Sequence, residues 1–315
     1  MRKALAVVLA VLLQITICVG VVSPAEKTKK SRYKQTLTPK KRPAAPPYLN
    51  ISFDSSIQKI PVPYFGHDIE QVYKGFNTRK ETERKDEFDT TEQYQRRSAE
   101  QAGKPIFGSV SQDSILAFVV NPSSEYDADS QTLTISLKTS VVWQSFTIDE
   151  SRLAVYIKRG EMTKLKSIGQ NAYGAKVEIE TTHAKRFELA IHNISNFETE
   201  EVLDEYQKES RRRMLEMSAK YNLPETSFKE KGKIVFVKRF KMGLEEARAV
   251  KGKIAALILA KPIAPYISYG EIYRGATFSN PTEFFSQMYY VDVDLFEIWI
   301  YDKISGEIIS KIKGE

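Results

Sequence analysis

Apolar residues recur at every second position in several separate stretches of this chain, and that period leaves little choice of local structure. In "QTLTISLK" (131–138) Leu133, Ile135 and Leu137 alternate with polar neighbours, and "VDVDLFEIWIYD" (291–302) repeats the pattern. Successive side chains of a strand point to opposite faces, so such alternation predicts half-buried strands. "SILAFVV" (114–120), "RLAVYIKRG" (152–160), "KIVFVKRF" (233–240) and "EIISKIKG" (307–314) read the same way. "GAKVEIETTHAKRFELAI" (174–191) predicts a hairpin, with Ala175, Val177 and Ile179 answered by Phe187, Leu189 and Ile191. "PSSEYDADS" (122–130) supplies a turn between two strands.

Helical spacing interrupts this texture. Ile69, Val72, Tyr73 and Phe76 line one helix face behind a capping Asp68. A second helix is predicted from Thr90 to Ala102, stopped by Gly103 and Pro105. Its start is stated twice, since Asp89 with Glu92 and Thr90 with Gln93 each make a capping box, and Phe88 is placed to staple the entry. A long amphipathic helix is predicted from Glu198 to Asn222, with a Ser195–Glu198 capping box and a stop at Leu223-Pro224. Residues 243–260 predict a helix and then a strand, broken at Gly252. The expected class is therefore α+β: N-terminal helices, then a mainly antiparallel β body interrupted by one long amphipathic helix.

The ends of the chain suggest an address. Met1-Arg2-Lys3 precedes an apolar run from Ala4 to Val22, and Ser23-Pro24-Ala25 carries the small residues of a secretory cleavage site. Residues 1–25 are expected to be a signal peptide, or alternatively a membrane anchor through residues 4–22. Cys18, the single cysteine, lies in this leader, so the mature chain has no disulfide, thiol nucleophile or cysteine-based metal site. The expected organisation continues with a basic, proline-rich linker (26–50), a helical segment (51–105), a β-rich subdomain (106–193), the long helix (194–224) and a β-rich C-terminal subdomain (225–315).

The net charge of +7 does not describe the folded part. Residues 26–50 hold eight basic residues against one acidic, whereas beyond residue 50 there are 37 basic and 39 acidic residues. A nucleic-acid reader carries its basic charge on the folded surface, so that class is excluded. Residues 27–42 instead suit an anionic membrane or cell-wall surface, or serve as a solvated spacer.

Little catalytic chemistry is legible. The three histidines, His67, His183 and His192, stand in no metal-ligand spacing, and there is no G-x-S-x-G or glycine-rich phosphate loop. Ser56–Lys59 and Ser310–Lys313 match S-x-x-K without the motifs that accompany it in serine–lysine enzymes. Asp292 and Asp294 share a strand face with Tyr290, which makes them the nearest candidates for a catalytic carboxylate pair, against a solvated strand face as the simpler reading. Residues 268–290 read as a long loop whose Tyr269, Glu271, Tyr273 and Arg274 are candidate ligand-binding residues. No cofactor or metal site is expected.

"KDEFDTTEQYQRR" (85–97), "YDADSQTLTI", "IGQNAYGAKVEIE" and "NPTEFF…DLFEIWIYDKISGEII" together resemble a family of exported bacterial envelope proteins. That family carries a K-[GD]-E-F-x-T-x-x-x-[YF]-x-x-R motif ahead of a β-rich body. The resemblance spans most of residues 64–315 and implies a periplasmic or envelope setting, without assigning an activity. The combined expectation is a non-catalytic binding or assembly module, with another envelope protein as a possible partner. A carboxylate-dependent hydrolase of envelope polymers and an oligomeric scaffold built on helix 198–222 are the alternatives.

Overall fold

The computed structural model describes residues 47–83, 87–102, 104–144, 147–170, 174–202, 209, 212–213, 216, 233–277 and 279–314. The expected leader (1–25), residues 26–46 of the expected basic linker and most of 203–232, where most of the expected long helix falls, lie outside the described residues. Those described are dominated by β structure, about 57% strand against 15% helix. This corrects the α+β expectation. Three short helices are complete among the described residues: α1 (Ile69–Glu83), α2 (Thr91–Ala102) and α3 (Leu244–Val250). The long helix expected from Glu198 fails at its start, because Thr199–Val202 is a strand paired with Lys233–Phe236. Backbone pairing there outweighs the capping signal of Ser195 and Glu198.

The described residues form eleven strands: β1 (Leu116–Val120), β2 (Ser123–Asp127), β3 (Thr132–Lys138), β4 (Ser140–Gln144), β5 (Thr147–Gln170), β6 (Lys176–Ile191), β7 (Thr199–Val202), β8 (Lys233–Lys241), β9 (Ile254–Arg274), β10 (Thr282–Asp302) and β11 (Ile308–Lys313). A seven-stranded sheet runs β1-β9-β10-β6-β5-β4, with β11 paired to β10; a four-stranded sheet runs β2-β3-β8-β7. The stretches 106–193 and 225–315 therefore interleave in both sheets. Most neighbours are antiparallel, but β6 and β10 run parallel from Glu180/Thr282 to Ile191/Val293. The hairpin expected within 174–191 is a single strand, and β6 turns instead against β5.

One face of the large sheet receives α1 and the small sheet. Ile69, Val72 and Phe76 from α1, and Leu133, Ile135, Leu137 and Phe236 from the small sheet, join Phe118, Leu189, Ile258 and Val291 in one core. The helix entry is as read from sequence: Asp68 caps it by accepting the Glu70 N–H at 3.1 Å and also pairs with Lys158 at 2.9 Å. Thr90 and Gln93 make the reciprocal capping box of α2, at 3.0 and 3.2 Å. Phe88 is 84% exposed. The opposite face is covered twice. Phe53 and Ile60 of the N-terminal segment lie on Ala117, Leu257, Leu259 and Trp299, while Val142 of β4 lies on Ala190, Met288 and Tyr290.

His67 fastens the N-terminal segment to β1. Its Nδ1 accepts the Ala117 N–H at 2.9 Å, and its Nε2–H donates to the Ile51 carbonyl at 2.8 Å. Only the neutral ring can accept at Nδ1. Burial holds the His67 pKa below its ordinary 6.5, and its hydrogen bonds to Ile51 and Ala117 oppose that shift only in part. A depressed histidine pKa means the unfolded chain binds the extra proton first, so stability is full above about pH 6.5 and falls as the solution is acidified through that value. Urea midpoints measured from pH 7.5 to pH 5 are expected to drop for the wild type, and to drop less for His67→Gln; parallel curves would remove His67 as the cause.

Candidate functional site

β9 and β10 are each 21 residues long, β5 is 24, and their covers do not reach their full length. α1 crosses the sheet at Lys158, Phe187, Tyr289 and Tyr266. Lys158 pairs with Asp68 and Glu70, Tyr73 packs on Phe187 and Tyr289, and Phe76 stacks on Tyr266 at 5.0 Å. Tyr266 reaches α1 because β9 bulges there: the pairing with β10 jumps from Val291↔Ile267 to Val293↔Pro262. Beyond α1 no element among the described residues covers that face, through the far halves of β5, β6, β9 and β10.

Strand register fixes which side chains share this open face. Gln287 lies opposite Glu271 on β9 and Lys185 on β6; Phe285 lies opposite Tyr273 and His183; Glu283 lies opposite Thr181. Thr163 and Leu165 of β5 extend the rows across His183 and Thr181. The expected loop 268–290 is thus mostly strand, with only residues 275–281 outside β9 and β10. Three of the four candidates, Tyr269, Glu271 and Tyr273, fall on this face. Arg274 falls on the other by strand alternation.

The face is already organised by hydrogen bonds. Tyr289 donates to Gln287 at 3.4 Å, Gln287 Nε2 donates to Tyr269 Oη at 2.9 Å, and Tyr269 donates to Glu271. A second group has Tyr273 and Thr181 both donating to Glu283, at 3.2 and 2.9 Å. Burial, followed by the Glu271 carboxylate, pushes the Tyr269 phenol well above its ordinary value, so it stays a donor. The His183 and Phe285 rings meet edge to face at 5.5 Å. Beside them lies a concavity of about 360 Å³, floored by Ala184, Phe285, Thr163 and Leu165 and rimmed by Gln287 and a Glu161–Lys185 ion pair. Ring walls, an apolar floor and a few fixed acceptors make a surface for binding.

Asp292 behaves differently from either sequence reading. It is buried and accepts from Arg152 Nη1, and its Oδ1 also takes the Nε2–H of His192 at 2.9 Å. Arg152 is buried as well, donating Nε–H to Asp149 at 2.7 Å and Nη1–H to Ser268 at 3.2 Å. Hydrogen bonding from Ser151, with smaller help from Arg152, keeps the Asp149 carboxyl below the usual range. β4 closes over this side so tightly that a Cβ at Gly270 would strike the Trp143 carbonyl. Asp294, on the same face, is half-buried opposite Lys261. The two aspartates therefore do not form a free acid–base pair: Asp292 is buried and engaged, and only Asp294 keeps partial exposure. Nearby, burial raises the Glu188 carboxyl, with Arg186 at 2.7 Å opposing it.

Sequence reading missed His183, which falls between the two strands of the expected 174–191 hairpin, together with Gln287 and the partners of Asp292. Only period-two alternation continuing through "YISYGEIYR" and "TEFFSQMYY" signals that these are strands with a common face. Among the described residues no group of three or more histidine, cysteine or acidic side chains can hold a metal, and no helix is long and apolar enough to cross a membrane. Comparison with protein-family models, curated proteins and solved structures finds no match to this chain.

Removing one partner of a buried ion pair leaves the other charge uncompensated, at a cost of about 3–5 kcal/mol. Arg152→Met is expected to lose that much in chemical denaturation. Arg152→Met with Asp292→Leu should recover a large part of it. If the single variant unfolds like the wild type, Arg152 does not hold this face together.

Proposed function

We propose that this protein is a non-catalytic binding module of the bacterial envelope, holding its ligand against the open half of the large sheet. One observation carries the reading: Tyr269, Glu271, Gln287 and Tyr289 are pre-set by mutual hydrogen bonds beside the ring-lined concavity of Phe285 and His183, with no element of the described chain laid over it. Pre-set side chains lose less freedom when a ligand arrives, which favours binding. The leader (residues 1–25) and the resemblance to exported proteins support the envelope setting, and the basic residues 27–42 suit attachment to an anionic surface there. A hydrolase has less support, because Asp292 is engaged by Arg152 and His192.

The test immobilises the protein and a His183→Ala/Phe285→Ala variant and passes solubilised bacterial envelope over both. Protein, sugar and lipid phosphorus in the retained fractions are then measured. At least one class is expected to be retained about tenfold more by the wild type, equivalent to roughly 1.4 kcal/mol of lost contact. Equal retention of all three by two equally folded proteins overturns the assignment of this face.

A further inference from the structure

The open face has a neighbour that the proposed binding role does not use. β4 pairs with β5 only as far as Ala154. From Met162 to Gln170 β5 keeps unbroken register with β6 on one side, while no described strand pairs with it on the other. Such an edge presents a row of backbone donors and acceptors, and soluble proteins usually blunt it. Before its open half β9 carries Pro262, Pro265 and the bulge around them, and β5 shifts register at Tyr156/Lys158 and Arg159/Met162. The free stretch of β5 contains neither proline nor bulge. Its Leu165 is 57% exposed and its Ile168 74%.

The lysines on this stretch do not close it. Lys164 is drawn to Glu180 at 2.6 Å and Lys166 to Glu178 at 2.7 Å, both on the neighbouring β6. Strand alternation puts these pairs on the face opposite Thr163 and Leu165. On the concavity's side the edge therefore offers a short threonine and an exposed leucine in front of His183 and Phe285.

We infer that β5 accepts an extended acidic polypeptide segment as an added strand between Met162 and Gln170, with alternate side chains of that segment reaching over Thr163 into the concavity. The inference rests on the binding role proposed above and names the class of partner. Added strands gain affinity from main-chain hydrogen bonds and specificity from pockets for alternate side chains, and both features are present here. Charge selects the occupant. From Met162 to Gln170 the strand carries Lys164 and Lys166 and no acidic residue. Each of these two lysines, paired with one carboxylate of β6, retains two further donors. A second copy of the same edge is disfavoured: antiparallel self-pairing centred anywhere from 162 to 167 sets a lysine directly or diagonally opposite another lysine, which is destabilising.

The experiment selects phage-displayed random nonapeptides on the full-length protein and measures the winners by fluorescence anisotropy. In an antiparallel strand successive N–H groups point to alternate neighbours, so one of Thr163→Pro and Lys164→Pro removes an outward donor and keeps the wild-type melting temperature. That variant is the edge probe, and Phe285→Ser is the concavity probe. Peptides alternating acidic and apolar residues are expected to win, and to bind at least about tenfold more weakly to both probes. If binding survives the proline but not Phe285→Ser, the concavity binds ligands and strand addition is overturned. Winners indifferent to both probes, or no winners, likewise overturn strand addition, while the envelope-retention comparison still decides the binding role separately.

Discussion

The structure depends on three long strands that stay paired beyond the reach of their cover. β10 is held on one side by β9 along nearly its whole length and on the other by β6 in parallel register. Near one end this spine is buried on both faces, by α1 and the small sheet on one and by the N-terminal segment on the other. Toward the far end the same hydrogen-bond ladder continues while, among the described residues, the cover of the α1 face stops. Backbone pairing satisfies polar groups without regard to side chains, so the sheet extends past the hydrophobic core and carries partly polar faces into solvent. The candidate site follows from that mismatch between ladder length and cover length.

Continuing a sheet past its core creates the problem of fixing the sheet's second face. β4 meets it by folding back over β9 and β10, where Gly270 lets the backbone approach and Tyr290 donates its hydroxyl to Met288 while accepting the Trp143 N–H at 3.1 Å. Beneath it Arg152 ties β5 to β10 through Asp292 and to β9 through Ser268. Leu153 and Ala154, next to it in sequence, pair with Ile191 and Ala190 of β6. A buried guanidinium with three partners fixes where β5 lies relative to β9 and β10, a directional constraint that apolar packing alone does not supply. The open face on the reverse side inherits that rigidity, since its Tyr269, Glu271 and Gln287 belong to the same strands.

Much of the local structure is legible in the chain. Asp68 and the Thr90–Gln93 box start their helices, Gly252 separates α3 from β9 with a positive φ of 88°, and the alternation of 131–138 is strand β3. The failures share one cause, which is pairing at long sequence separation. Residues 161–170 show no clean hydrophobic alternation, yet become strand by pairing with β6. Thr199–Val202 carries helix-start signals and becomes strand by pairing with β8. Asp292 and Asp294 read as one motif because they are two residues apart, but the protein gives only Asp292 an arginine, and that arginine is 140 positions away. Propensity and periodicity register neighbours along the chain and not across a sheet.

Edge chemistry gives the open end its character. A strand end left uncovered by accident should look defended on every free edge, because exposed ladders recruit other chains. Here both strands bordering the open end are irregular where they leave the core: β9 carries two prolines and a bulge that turns Tyr266 inward to α1, and β5 shifts register twice before Met162. From Met162 to Gln170 β5 then keeps an uninterrupted ladder, with Lys164 and Lys166 paired on the face away from the concavity. The rings of His183 and Phe285, the amide of Gln287 and the Glu161–Lys185 pair stand along the undefended edge. An edge kept regular beside a surface already organised for contact is better explained by use than by neglect.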